Sequence, residues 1–216
     1  MEPQLKELIC RDEEGAIQDT RRKLVYFIAC TLDGFIARPD GNADFFETTG
    51  PYLSELAATF PETFPTHVRA ALGVTAAGGH FDTVIMGRRT YDPALQLGIA
   101  SPYAHLRQYV FSRNLPPSAD PAVTVLADSP VSLVQTLKAE QTGREIWLCG
   151  GGELAGQLLP EIDEVILKLN PVAIGSGIPL FGRAAGLHHF ELTGHQPLTG
   201  GVMLLHYRVR GDAGVA

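Results

Sequence analysis

Residues Phe81–Asp92 read FDTVIMGRRTYD. Val84, Ile85 and Met86 form an apolar run of the kind that makes a short buried strand. Gly87 stands where such a strand turns. Arg88, Arg89 and Thr90 then open a segment that reads as a helix. A strand that ends in glycine and leads into a helix gathers unpaired backbone N–H groups and the positive end of a helix dipole in one place. Two arginines beside that end suit a phosphate group, because the planar guanidinium pairs with phosphate oxygens through two hydrogen bonds.

Upstream of it, LVYFIAC within Lys23–Ala37 is a continuous apolar run, the pattern of a central strand covered on both faces. It breaks at Thr31-Leu32-Asp33-Gly34, resumes at Phe35-Ile36-Ala37, and gives way to turn residues at Arg38–Asn42. In α/β sheets, ligands sit at the carboxyl ends of such strands. Tyr52–Phe60 has helical spacing, with Leu53, Leu56, Ala57 and Phe60 on one face. FPETFPTH has two prolines and cannot be one helix, and His67–Leu72 reads as a further helical turn. The span Phe45–Gly79 is expected to be the variable, substrate-facing part of the protein.

Downstream, QYVFS and AVTVLA read as strands. Ser129–Glu140 reads as a helix with Ser129 as N-cap and Pro130 at the first helical position. EIWLC (145–149) reads as a strand, Gly150-Gly151-Gly152 as a turn, and Glu153–Leu159 as a short helix stopped by Pro160. DEVILKL (163–169) reads as a strand. Phe190–Thr193 and Val202–Arg210 read as a terminal hairpin. Strands alternating with helices and then paired strands imply an α/β fold, a mostly parallel central sheet flanked by helices with a C-terminal antiparallel hairpin.

A chain of 216 residues with 45% hydrophobic and 19% charged residues has enough apolar material for one packed domain. A net charge of −7 argues against nucleic acid as a partner, which calls for a basic footprint. It leaves room for a nucleotide held by local arginines. Cys10, Cys30 and Cys149 are far apart in sequence and odd in number, which reads as reduced thiols and a cytoplasmic protein. Lys168 and Asn170 interrupt the best apolar run, so no membrane span is expected. No Cys/His spacing suggests a metal. Residues 1–22 are charged and without sustained periodicity, and are expected to be an N-terminal extension to a domain spanning 23–210.

Gly150–Ala155 matches G-x-G-x-x-A between a strand and a helix. In a Rossmann dinucleotide fold that motif belongs to the first strand–helix turn, and an acid follows about 20 residues later. Here it comes late, and Asn170–Ile174 contain no acid. What survives is the physical point that glycines let a pyrophosphate approach backbone N–H groups closely.

FIACTLDGFIA (27–37), VIMGRRTY (84–91), VFSRN (110–114), IWLCGGGELAGQLLP (146–160) and DEVILKLNPVAIGSGIPLF (163–181) occur in this order. Together they resemble the dihydrofolate-reductase-like family. The branch is the one that includes the reductase domain of bifunctional riboflavin-biosynthesis enzymes. The resemblance covers roughly residues 23–210. It implies a reductase that uses NADPH as cofactor and a small heterocycle, pterin-like or pyrimidine riboside-like, as substrate, in an assembly that includes a homodimer.

Carried onto this chain, the resemblance assigns the cofactor phosphates to Gly87, Arg88, Arg89 and Thr90. It assigns the adenosine ribose to Ser112 and Arg113, with Arg113 against a 2′-phosphate. Gly150, Gly151, Gly152, Glu153 and Leu154 lie under the pyrophosphate, and Ala29 and Ile36 border the nicotinamide. No catalytic acid aligns. Asp33 and Asp44 are the weak catalytic candidates, Asp33 also suiting a turn before Gly34 and Asp44 a helix N-cap. His67 and His80 are further proton donors to weigh. The zinc motif of the deaminase half, H-x-E followed by P-C-x-x-C, is absent from the chain. The alternative is a non-catalytic nucleotide-binding or sensor module of the same fold.

Overall fold

The computed structural model describes residues 21–184 and 186–210. The expected extension therefore lies outside the described residues apart from its last two. LVYFIACT forms β1 (Leu24–Thr31), whose first four residues are all buried. Successive side chains of a strand point to opposite faces, so a strand covered on both sides must be apolar at every position. A turn leads to β2 (Phe35–Ala37). Next come α1 (Tyr52–Thr59), a single 3-10 turn at Pro61–Thr63, and α2 (Thr66–Arg69). The two prolines split this region as their missing N–H groups require.

The FDTVIMG stretch is β3 (Phe81–Gly87), and it runs directly into α3 (Arg88–Gln96). β4 (Arg107–Phe111), β5 (Val123–Leu126), α4 (Pro130–Lys138), β6 (Glu145–Gly150), α5 (Gly152–Leu158) and β7 (Glu164–Asn170) follow. The chain ends with the two-residue β8 (Ile178–Pro179) and the hairpin of β9 (Phe190–Pro197) and β10 (Met203–Val209). Ser129 does precede α4 with extended backbone, but its side chain makes no capping hydrogen bond.

The main sheet has the order β5-β4-β3-β6-β1-β7-β10-β9. All neighbours from β5 to β7 are parallel, and β10 joins β7 antiparallel before pairing with β9. This is the expected mostly parallel sheet with a C-terminal antiparallel hairpin. β2 and β8 form a separate small antiparallel pair. Each face carries its own core. On one face Phe27, Phe60, Phe81 and Trp147 form an aromatic cluster with α1 packed over it. On the other, α4 and α5 lie on Leu24, Tyr26, Ile85, Ile146 and Leu148. Among the described residues no helix is long and apolar enough to cross a membrane.

Arg22, assigned to the extension on sequence grounds, is anchored in the fold at 5% exposure. Its guanidinium pairs with Asp82 and Glu140, and donates to Arg144 O at 2.6 Å and Thr83 Oγ1 at 2.9 Å. It fastens the entry to β1 against β3 and the end of α4. Lys23, next in sequence, pairs with Glu164 at 2.5 Å with its side chain 45% exposed. Removing one member of a buried charge cluster leaves its partners uncompensated, whereas an exposed pair is screened by water. Arg22→Met should therefore cost about 3 kcal/mol of unfolding free energy in a urea titration. Lys23→Met should cost less than about 1 kcal/mol.

Candidate functional site

Because the central strands are parallel, their carboxyl ends emerge on one edge of the sheet. Gly87 pairs with Phe111 in register, so Arg88–Arg89 and Ser112–Arg113 leave β3 and β4 side by side. Met86 pairs with Gly150, which sets Gly87 beside Gly151. A Cβ added to Gly87 would stand 3.4 Å from the Gly151 nitrogen. One added to Gly150 would meet Ile28 Cδ1 at 3.4 Å and Thr90 Oγ1 at 3.6 Å; one on Gly151 would meet Ile36 Cδ1 at 3.9 Å. Gly87, Thr90, Gly150, Gly151 and Ile36, chosen from separate stretches of sequence, are thus gathered at one place. The Gly150–Gly151 peptide is cis.

Gly152 does a different job. A Cβ there would lie 2.1 Å from Pro179 O, which real structures do not tolerate. Its carbonyl accepts from Gly182 N at 2.8 Å. The start of α5 is therefore held against the loop after β8 by backbone contact. Leu154 is buried in the α4/α5 core, so only its main chain can face a ligand. Glu153 is exposed and lies against Gly182.

The arginines differ in how much of their charge is spent. Arg88 forms an ion pair with Asp92 one helical turn on. Arg89 and Arg113 are exposed, and neither makes a hydrogen bond or ion pair with another described residue. Ser112 Oγ accepts the N–H groups of Asn114 at 3.3 Å and Leu115 at 3.0 Å, fixing the turn that presents Arg113. Two unspent guanidiniums, the amino end of α3 and a ridge without side chains make an edge shaped and charged for a phosphorylated ligand.

Beside this edge is a cavity of about 230 Å³. Phe27, Ile28 and Ala29 of β1 and Trp147 and Cys149 of β6 form its floor. Leu53 and Leu56 of α1, with Thr63 and Phe64, form its wall, and Lys168 of β7 is the one cation in it. Ala29 and Lys168 are in register on adjacent parallel strands. The span Phe45–Gly79, expected to face substrate, contributes α1 and Phe64 to this lining.

Neither candidate acid is there. Asp33 accepts the Thr31 hydroxyl at 2.6 Å and the N–H groups of Gly175 at 2.7 Å and Ile174 at 3.1 Å. The Thr31 hydroxyl, followed by these N–H groups, holds its carboxyl below the usual range, so it stays ionised and has no proton to give. Asp44 accepts from Asn42 Nδ2 at 3.1 Å in an exposed loop, 3.7 Å from Arg38. It caps no helix, since α1 begins at Tyr52. His80 lies at the amino end of β3 against Phe60, and His67 is exposed on α2 beyond it. Neither lines the cavity.

Lys168 is the site residue that sequence reasoning misses. Burial pushes its ammonium down from the ordinary 10.5 to about 8. The signal is one lysine between Leu167 and Leu169, within the apolar part of DEVILKL. Cys149, at the back of the same cavity, is pushed up to about 12 by burial and stays a thiol; Cys30 in β1 is also free, and Cys10 lies outside the described residues.

Known proteins share this fold. Residues 22–204 match the family model of the RibD C-terminal domain, and the chain belongs to that family. It is 33% identical over 188 residues to the uncharacterized protein YwjB of Bacillus subtilis (strain 168), covering 86% of this chain and 97% of that one. A second relative from the same organism, the uncharacterized YyaP, is 25% identical over 204 residues, covering 88% and 97%. A solved structure from Shewanella sp. PV-4 described as a putative riboflavin biosynthesis protein superposes with a TM-score of 0.64 at 23% identity, covering 88% of this chain and 99% of that one. The deaminase/5-amino-6-(5-phosphoribosylamino)uracil reductase of Thermotoga maritima superposes at 0.59 with 15% identity, covering 90% of this chain and 58% of the larger protein. The fold is the expected dihydrofolate-reductase-like α/β fold. A dinucleotide fold of Rossmann type is thereby set aside: the glycine triplet follows the sixth strand in chain order and not the first.

Two stability measurements check the site. Gly152→Ala should cost about 3 kcal/mol or more, because the added methyl meets backbone that cannot rotate away. For Lys168, the folded pKa lies below the unfolded one, so the folded state resists protonation. At pH 7 the lysine is charged in both states and its burial costs stability. As pH rises from about 8 to 10.5 the unfolded chain holds the extra proton, and the cost disappears. Lys168→Met should therefore be more stable than the parent at pH 7 by about 2 kcal/mol, with the gap closing toward pH 10.5, as read by calorimetry.

Proposed function

We propose that this member of the RibD C-terminal domain family is an NADPH-dependent reductase, transferring a hydride to a small heterocyclic substrate, pterin-like or pyrimidine riboside-like. One observation carries the reading: the unspent guanidiniums of Arg89 and Arg113 stand on neighbouring strand ends beside the glycine ridge. When bound, NADPH supplies a hydride from nicotinamide C4.

The protein's part is to hold and orient. Gly87, Arg89 and Thr90, with Arg88 partly neutralised by Asp92, take the cofactor phosphates at the amino end of α3. Arg113, on the turn set by Ser112, takes a ribose 2′-phosphate and so separates NADPH from NADH. Gly150–Leu154 offer close backbone approach beneath the pyrophosphate. Ala29 and Ile36 would border the nicotinamide, and Ala29 also lines the cavity under α1. The apolar walls of that cavity exclude water around the transfer.

A second reading, a nucleotide-binding or sensor module without turnover, has one observation in its favour: no carboxylic acid lines the cavity. Loss of NADPH absorbance that depends on an added pterin or pyrimidine riboside excludes it.

Titration with NADPH and NADH, followed through quenching of Trp147 in the cavity floor, tests the first reading. NADPH should bind much more tightly than NADH. Arg88→Ala with Arg89→Ala should weaken NADPH by about 100-fold, since each charge-assisted contact is worth roughly 1.5–3 kcal/mol. Arg113→Ala should bring the two cofactors close together in affinity. Failure of both cofactors to bind, also by calorimetry, overturns the proposal.

A further inference from the structure

Lys168 presents three N–H donors and no acceptor to a cavity whose other lining side chains are apolar apart from Thr63 and the Cys149 thiol. Among the described residues its ammonium makes no hydrogen bond or ion pair; its contact is the Tyr52 ring, whose centroid is 5.4 Å from Nζ. A cation–π contact on one side leaves the other donors without a protein partner. The groups around it bring no compensating charge. Tyr52 from α1 has a phenol pushed upward, chiefly by burial, that donates to Glu47 O. Cys149 from β6 is a neutral thiol. β1 and β10 set Ala29 and Leu204 beside it in register. The carboxylate of Glu55, also on α1, is bound by the hydroxyl and N–H of Thr199.

An amine held in such a place is costly unless something fills its donors. Methionine or leucine would occupy the same strand position without that cost. An anion or strong acceptor that enters the cavity would meet those donors.

We propose that Lys168 is the specificity-determining residue of this cavity, selecting planar heterocycles that carry an anionic oxygen, a carboxylate or an enolate, over neutral ones, an assignment that rests on the cavity being the substrate site of the proposed reductase. The ammonium meets that oxygen while Phe27, Phe64 and Trp147 enclose the ring. Its place in register with Ala29 puts the anchored oxygen next to the strand position that borders the nicotinamide. The charge of the ligand is then read at the reacting end of the site, whereas the arginines read the cofactor on the far side of the glycine ridge.

Orotate and uracil share one ring and differ by a single carboxylate, so they serve as probes. Their affinities are measured on the full chain by calorimetry and by Trp147 fluorescence, with and without NADPH. Orotate should bind at least about 10-fold more tightly than uracil at pH 7. Between roughly pH 6 and pH 9 this preference should fall as the lysine loses its proton, while orotate stays ionised. Lys168→Met should abolish the preference and leave uracil binding within about twofold. Equal affinity for the two probes, no binding of orotate, or a preference that survives Lys168→Met overturns the assignment. The wild-type pH series needs no variant, and a preference that stays constant across it overturns the assignment as well. The double Arg88, Arg89 variant separates the two sites: it should bind NADPH about 100-fold more weakly and keep the orotate preference. A chain that prefers orotate through Lys168 but never binds NADPH retains the anion site and refutes the reductase.

Discussion

The structure depends on backbone meeting backbone at the carboxyl edge of the sheet. Gly87 lies against Gly151, Gly152 against Pro179, and Gly177 against Ala37, where an added Cβ would come within 2.2 Å of a carbonyl oxygen. Side chains at these points would push β3, β6 and the 178–184 loop apart. Without them, three strand ends and two helix starts converge on one strip of main chain. That strip has no side chains of its own to bind anything. Its chemistry comes from what borders it: guanidiniums on one side, an apolar cavity on the other.

This division explains how one edge can serve two unlike ligands. A phosphorylated cofactor asks for positive charge with water nearby, and exposed Arg89 and Arg113 meet that need at little folding cost. A planar ring asks for apolar walls, which the aromatic cluster under α1 supplies as an extension of the core itself. The cost is concentrated in Lys168, the one charge set into those walls. Arg22 shows the contrasting case. Its guanidinium is buried, yet it is met by acids and acceptors, so its charge is spent on holding the fold.

Much of this is legible in the chain. The strands LVYFIACT, VIM, EIWLC and DEVILKL stand out because a strand covered on both faces has no reason to be polar, and the observed bounds fall close to expectation. The prolines of FPETFPTH break their segment as expected. The glycine and arginine turns are conspicuous because a strand end followed at once by a helix demands a small residue and exposes free N–H groups. The acids mislead. Asp33 looks well placed in sequence, but its oxygens are filled by Thr31 and by N–H groups from Ile174 and Gly175, far along the chain, which no local pattern reveals. Lys168 is hidden for the opposite reason. In sequence it merely interrupts an apolar run, and nothing local says whether its ammonium reaches solvent, a carboxylate or a cavity.

The elements, their parallel arrangement and the family follow from the order of residues alone, because burial on two faces and turn chemistry are local demands that each residue answers for itself. Which charges are already spent is settled by the fold. Whether Arg22, Asp33, Arg88, Arg89 or Lys168 is free to meet a ligand depends on partners brought in by register and by the order of strands in the sheet. Many of those partners come from distant stretches, and a charge is available for function only when none of them has reached it first.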